Sequence, residues 1–506
     1  MRLLGMLGEL ADDDLGGRYT LHPDIRRAAE AITSHYRDAG VAPATDDGYL
    51  VDFEIVVGLD PGPKTALTVG PTPDAKAIAF DPLLMTPRPE GAPGLAEGPL
   101  VFVGYGIVDE LAGVPLAGAV AVVLEGTPRR PPDADRPPRA FGRRDRDLGR
   151  KLQRLAQAGA AAVIVVNDAA AVEPGTTGPA PALPSLETDR PMRRRVDIPV
   201  VQLHASLAQL ELRRDDQTLG SLQAQIDRVG TPMSGPLDAG RASVVVDATP
   251  RVIRAPNILA MVRGTDLADE IVLVGAHYDH IGTDEPGHGH CRSQPDGDQT
   301  DSICNGADDN ASGSAIVAEL AQEMTAGPAP RRTVVFVHFS GEEMGLLGSR
   351  ALAARLDELP PFAGRRVVAM LNIDMVGRLR ERLTVSGVGS SGRWMELLDE
   401  VGPHGMRVLY DRSLTQRSDH APFYERDIPS LFFFTEIHAD YHAPGDEMVG
   451  ILPEGLLQVA GMIAEITWRV ADGYALPFSA PRGPAEGLVP ALPGEDPSTI
   501  EKIVEP

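Results

Sequence analysis

The chain has 506 residues, enough for about two to four domains. Hydrophobic residues make up 43% and charged residues 24%, the balance of a globular protein. Lys plus Arg is 47 and Asp plus Glu is 72, so the formal charge is −25, a field that repels phosphate backbones and anionic membranes and argues against nucleic-acid binding.

The first residues do not read as an export signal. The apolar run Leu3–Gly8 is stopped by Glu9 and Asp12–Asp14, with no small-residue cleavage site after it. Ile25, Ala28, Ala29, Ile32 and Tyr36 then recur at helical spacing, and a strand is expected at Tyr49–Val57. From about residue 71 to 245 Pro and Gly become dense. Short apolar strands are expected at Leu100–Val103, Ala119–Leu124, Gly159–Val166 and Pro199–Leu203. The Arg-rich stretch Arg129–Arg154 reads as a solvated loop and helix face rather than an anion site. This region is a small β-rich module with one or two helices.

From 246 to 475 the rhythm becomes strand, loop, helix. Strands are expected at Ile271–Ala276, Thr333–Phe339, Val367–Ile373, Leu383–Ser386 and Ser430–Phe434, with helices such as Ser312–Met324 and Leu346–Leu356 between them. That alternation predicts an α/β fold: a mixed, mainly parallel sheet with helices on both faces. Residues 476–506, rich in Pro, Gly and Glu, read as a mobile tail. No run approaches the roughly 20 apolar residues needed to span a bilayer.

The polar residues of this third region cluster just after apolar strands. His277-Tyr278-Asp279-His280 follows the first strand, Ser340-Gly341-Glu342-Glu343 the second and Asp374 the third. Asn305-Gly306-Ala307-Asp308-Asp309-Asn310 precedes a helix, and His438, Tyr441 and His442 follow Ser430–Phe434. In a parallel sheet these clusters meet at one edge, where carboxylates and imidazoles packed together would repel and desolvate badly. Divalent cations resolve that cost. The N/O donors suit zinc, with cobalt or manganese as substitutes. The inventory exceeds what one four-coordinate ion needs, so a pair of ions sharing a carboxylate is expected. Glu342 and Glu343, being consecutive, point apart, so one can hold a cation while the other serves as a base. Asp279, two residues after His277, can take the other ring N–H.

Taken together, HYDH, NGADDNASG, SGEEMGLLGS, NIDMVGR and SDHAPFYERDIPSLFFFTEIHADYHAPGDE resemble the dizinc aminopeptidase family, that of bacterial leucyl aminopeptidase, aminopeptidase Y and glutamate carboxypeptidase. The resemblance covers 246–475, and residues 1–70 resemble that family's N-terminal helical segment. Residues 71–245 resemble its protease-associated inserted domain. The resemblance implies the zinc exopeptidase fold and two Zn2+ per chain, with peptides as substrates. It implies metal ligands at His277, Asp309, Glu343, Asp374 and His442, with Asp309 bridging the ions and followed by a cis peptide. It further implies Glu342 as general base, Asp279 as orienter of His277 and Tyr441 near the developing oxyanion. The expected activity is an aminopeptidase, with a carboxypeptidase or dipeptidase of the same family and a non-catalytic scaffold as alternatives.

His338 reads as a packed histidine, His280 and His420 as supporting residues, and Asp308 as a loop hydrogen-bonder. Cys291 and Cys304 lie in one loop; they form a disulfide if the protein is exported, as members with this insertion commonly are, and stay free thiols if it is cytoplasmic. Gly387-Val388-Gly389-Ser390-Ser391-Gly392 matches G-x-G-x-x-G, but a lone match amid the metal motifs is weak support for a dinucleotide site.

Overall fold

The computed structural model describes residues 2–71, 75–107, 110–129, 143–169, 183, 185–186, 191–192, 195–229, 233–297, 299–414, 417–479 and 489–490. Two compact units are present: Met1–Ile55 together with Arg254–Pro506, and Val56–Ile253.

The first unit begins with two amphipathic helices. The helix α1, Arg2–Leu10, buries Leu3, Met6, Leu7 and Leu10, and α2, Asp24–Asp38, buries Ile25, Ala28, Ala29, Ile32 and Tyr36. Both stripes recur every three or four residues and join the main core. The apolar run at 3–8 lies within α1. Glu9 lies outside the buried stripe, so the helix continues through it to Leu10.

The sheet strands are β1 (Ala248–Val262), β2 (Leu267–His277), β3 (Arg332–Phe339), β4 (Arg366–Ile373), β5 (Leu383–Ser386), β6 (Val408–Asp411) and β7 (Ser430–Phe434). Helices α3 (Gly313–Ala326), α4 (Leu347–Ala354), α5 (Trp394–Val401) and α6 (Pro453–Ala471) alternate with them. The spatial order is β1-β3-β2-β4-β7-β5-β6. The central β3, β2, β4 and β7 are mutually parallel, whereas β1 pairs antiparallel with β3 and β5 antiparallel with β7. Apolar clusters pack on both faces of this sheet. That explains why Ile271–Val274 and Val334–Val337 are apolar without alternation.

The second unit holds an eight-stranded sheet. Its four parallel neighbours are Gly94–Phe102, Val120–Leu124, Ala162–Val166 and Val200–Leu203. Its helices include Leu148–Gln157, Ala205–Glu211 and Leu219–Val229. The unit is wider than the expected 71–245, because Ala66–Val69 pairs with both Gly235–Val246 and Lys76–Ala79 and so belongs to this sheet. Part of the expected tail is also placed. Leu476 is buried in the core of the first unit, Ser479 N donates to Ser390 O, and Val489–Pro490 pairs with β6. The rest of that tail, and 130–142 of the Arg-rich stretch, lie outside the described residues.

Ile32 is fully buried on the face of α2 that joins the core. Ile32→Ala is expected to cost about 2–5 kcal/mol of stability by urea unfolding. A loss under about 1 kcal/mol would mean that α2 does not pack as described.

Candidate metal centre

The parallel strands bring their carboxyl ends to one edge. His277 closes β2 and lies in register with Phe339, the last residue of β3. Tyr278 N donates to Phe339 O, which sets the loop carrying Asp279 and His280 beside the loop carrying Glu342 and Glu343. Asp374 follows β4, and its N–H donates to Phe433 O. Asp309 enters from a wide helical turn, Ala307–Ser312, interrupted at Asp309 and Asn310, whose peptide bond is cis. Asn310 fastens the turn: its Oδ1 accepts from Gly313 N at 2.9 Å and its Nδ2 donates to Ile373 O at 2.9 Å.

These residues converge. His277 Nε2 lies 3.4 Å from Asp309 Oδ1 and 3.3 Å from Asp374 Oδ1. His442 Nε2 lies 3.3 Å from Asp309 Oδ2 and 3.0 Å from Glu343 Oε2. The two oxygens of Asp309 therefore face two different donor sets. Among the described residues, three groups place a ligand atom from each member within 4.8 Å: His277, Asp309 and Asp374; His277, Glu342 and Glu343; His280, Asp309 and Glu343. The donors are nitrogen and oxygen with no thiolate, since Cys291 and Cys304 are bonded to each other. That chemistry fits zinc.

The adjacent glutamates differ electrostatically. Burial, and then the charges of Glu343, Asp419 and Asp374, push the Glu342 carboxyl well above the usual range against the pull of His277. Burial opposes the charge of Glu343 too, but hydrogen bonds from His280 and His442 outweigh it and hold that carboxyl well down. Burial and Glu343 raise Asp309 to about 6. Bonds to Asp309 and Glu343 overcome burial and raise His442 to about 10. Tyr441 stacks on His442 with ring centroids 3.8 Å apart and stands at the rim, 38% exposed. Burial and then the charges of Asp309 and Glu343 raise its phenol well above the usual range.

One expected contact differs. His277 Nδ1 lies 3.1 Å from the main-chain carbonyl of Asp279 and 3.8 Å from its carboxylate. The carboxylate is engaged elsewhere: Oδ2 accepts from Thr20 Oγ1 at 2.9 Å and Oδ1 from Glu342 N at 3.1 Å.

Several residues near the centre had no ligand role in the sequence reading. His280, expected as a supporting residue, is fully buried and places Nδ1 3.0 Å from Glu343 Oε1 and 3.8 Å from Asp309 Oδ2. Its place in HYDH was the available signal. Arg18 and Thr20 reach the site from the N-terminal segment, and nothing in their local sequence marks them. Asp446 accepts from Asp308 N at 3.1 Å, Asp309 N at 2.9 Å and Arg378 Nη2 at 2.8 Å. His438 is 96% buried by side chain only in this tertiary setting, with Nε2 3.4 Å from Asp308 Oδ2 (its side-chain exposure is 4%).

The remaining expectations concern residues away from the cluster. Asp308 Oδ1 accepts from Gly377 N at 2.6 Å, a loop role. His338 is buried, with Nε2 2.6 Å from Tyr36 Oη. His420 stacks on Phe432 at 4.7 Å. In the G-x-G-x-x-G segment a Cβ at Gly387 would meet Ser430 O at 2.3 Å and one at Gly389 would meet Arg412 O at 2.5 Å, so these glycines admit neighbouring backbone.

Residues 257–467 match the model of Peptidase family M28, and residues 96–210 match that of the PA domain. A probable leucine aminopeptidase of Arthroderma otae is 27% identical over 241 residues, covering 43% of this chain and 58% of that protein. Aminopeptidase YwaD of Bacillus subtilis is 28% identical over 210 residues, covering 40% of this chain and 41% of that protein. The chain thus spans about half the length of these curated relatives. The aminopeptidase from Aneurinibacillus sp. strain AM-1 shares the fold, with a TM-score of 0.50 and 19% identity over 96% of each chain.

Asp446 is fully buried and holds two main-chain amides beside Asp309 as well as a guanidinium. Asp446→Ala is expected to cost about 3–5 kcal/mol, because Arg378 loses a buried counter-charge. Thermal and urea unfolding of the chelator-treated chain measure it; an unchanged midpoint would refute the assignment.

Proposed function

We propose that this chain, in which residues 257–467 form a Peptidase family M28 domain and a PA domain is inserted ahead of it, is a zinc-dependent aminopeptidase removing N-terminal residues from peptides. The observation that carries this reading is the placement of Asp309, whose two oxygens face separate sets of donors. His277, Asp309 and Asp374 would hold one cation, and Asp309, Glu343 and His442 the other. A bound pair of zinc ions lowers the pKa of an attacking water and polarises the scissile carbonyl.

The chain's own groups supply the rest. Glu342 belongs to one of the candidate groups with His277 and Glu343, yet its carboxyl, unlike that of Glu343, is held toward the protonated state by burial. In its ionised form, which bound cations would favour, this raised proton affinity suits it to accept the proton of the attacking water and return it to the leaving amine. The Asp279 carbonyl receives the Nδ1–H of His277, leaving Nε2 free to ligate. Tyr441, at the rim, offers its hydroxyl to the oxyanion.

Both cysteines are joined in the disulfide Cys291–Cys304, which supports an oxidising, exported location. In native protein an alkylating reagent should label neither cysteine before reduction and both after it, read by mass; labelling without reductant would argue for a reducing compartment.

Two measurements test the catalytic reading. Aminoacyl chromogenic substrates should be hydrolysed, their N-blocked counterparts should not, and a chelator should abolish turnover until zinc is restored. Glu342→Gln should lower kcat by about 10²- to 10⁴-fold with zinc content unchanged. Asp309→Ala should instead lose zinc. An active Glu342→Gln enzyme would remove Glu342 from its role.

A further inference from the structure

Five loops carry the candidate centre, and one short N-terminal stretch touches three of them. Arg18 is fully buried, and its guanidinium makes only main-chain bonds among those described: Nε donates to Tyr278 O at 2.7 Å, Nη1 to Asn305 O at 2.5 Å and to Leu10 O, and Nη2 to Gly306 O at 3.1 Å. Arg18 O accepts from His280 N at 3.2 Å. A Cβ at Gly17 would lie 2.5 Å from Cys304 O and 2.7 Å from Gly282 O, so this stretch runs directly against the paired backbone of Gly282 and Cys304.

Thr20 makes the tighter connection. Its hydroxyl donates to Asp279 Oδ2 at 2.9 Å, 259 positions away in sequence, and accepts from Gly341 N at 3.0 Å. A hydroxyl has a single proton. With that proton on Asp279, Ser340 Oγ, 3.2 Å away, is the donor in its contact with Thr20. Asp279 Oδ1 in turn accepts from Glu342 N. Thr20, Asp279 and the Gly341–Glu342 backbone thus close a ring that joins the His277 loop to the Glu342–Glu343 loop. Because the Asp279 carboxylate is committed to this ring, its carbonyl is left to orient His277.

On this basis, and resting on the reading of the centre as a zinc site, we propose that Thr20 is a positioning residue of the metal centre. Its hydroxyl sets the spacing between cation-binding groups at the ends of β2 and β3. The N-terminal segment is then part of the catalytic apparatus as well as of the core.

The test uses the full chain with Thr20→Val, which keeps the shape and loses all three hydrogen bonds of the hydroxyl, and Thr20→Ser, which keeps the hydroxyl. Zinc affinity is read by competition with a chromogenic chelator, and kcat and KM are measured separately at saturating zinc. Thr20→Val should bind zinc about 10- to 100-fold more weakly and lose kcat with KM nearly constant, while Thr20→Ser should stay within about threefold of the natural chain. Thr20→Ala gives the same readouts if the valine variant does not fold. A folded variant lacking the hydroxyl that keeps natural zinc affinity and kcat, with only its unfolding temperature lowered, would overturn the proposal. The proposed function fails separately: a natural chain that binds zinc but cleaves no aminoacyl substrate refutes the activity while the affinity comparison still decides the role of Thr20.

Discussion

The structure is organised around an electrostatic constraint at the carboxyl edge of its sheet. Asp279, Asp309, Glu343 and Asp374 are gathered with His277 and His280 in surroundings nearly closed to water. Like charges at such distances repel, and each has lost hydration. The chain meets part of the cost itself. Arg18 stays cationic despite complete burial, its pKa lowered by desolvation only to about 10 because Asp279, Asp309, Asp446 and Glu343 surround it. Arg378 sits between Asp440 and Asp446. The imidazoles bridge the remaining acids in pairs, the arrangement that dications stabilise more strongly.

The scaffold makes this concentration of charge tolerable by making it rigid. Parallel β3, β2, β4 and β7 are covered on both faces, so their ends are fixed by apolar packing that does not depend on the polar edge. The loops beyond those ends are tied by main-chain amides: Asp308 and Asp309 to Asp446, Glu342 to Asp279, and Asp374 to Phe433. Side chains placed by backbone hydrogen bonds lose little further freedom on taking up a ligand, the preorganisation that catalysis by electrostatics requires.

The neighbouring glutamates show how finely that framework divides labour. One residue apart, they face different company. Glu343 meets two imidazoles and is stabilised as an anion, whereas burial first and then neighbouring carboxylates drive Glu342 toward its protonated form against the pull of His277. The split follows from the neighbours each meets in the turn that opens at Glu342 and not from divergence of the two side chains, because a ligand atom of each lies within 4.8 Å of the same His277 nitrogen. No difference in the residues themselves could produce it.

Much of this could be read from the chain. β5 and β7 lie at the expected residues, and β2, β3 and β4 differ only at their ends, because uninterrupted apolar runs followed by polar loops carry their own boundaries, whereas β1 and β6 were not expected. The gathering of His277, Asp309, Glu342, Glu343, Asp374, Tyr441 and His442 was legible for the same reason: each lies in a loop next to an apolar strand or helix, and parallel topology sends such loops to one side. What the sequence could not reveal were partners that matter only by proximity. Arg18 and Thr20 are ordinary residues in an unremarked turn, the Asp279 carbonyl is common to any residue, and Asp446 reads as a loop acid. Periodicity and local spacing determine elements and their order. Which distant donor satisfies a particular buried acceptor depends on three-dimensional distances of a few ångströms, and only the folded chain sets those.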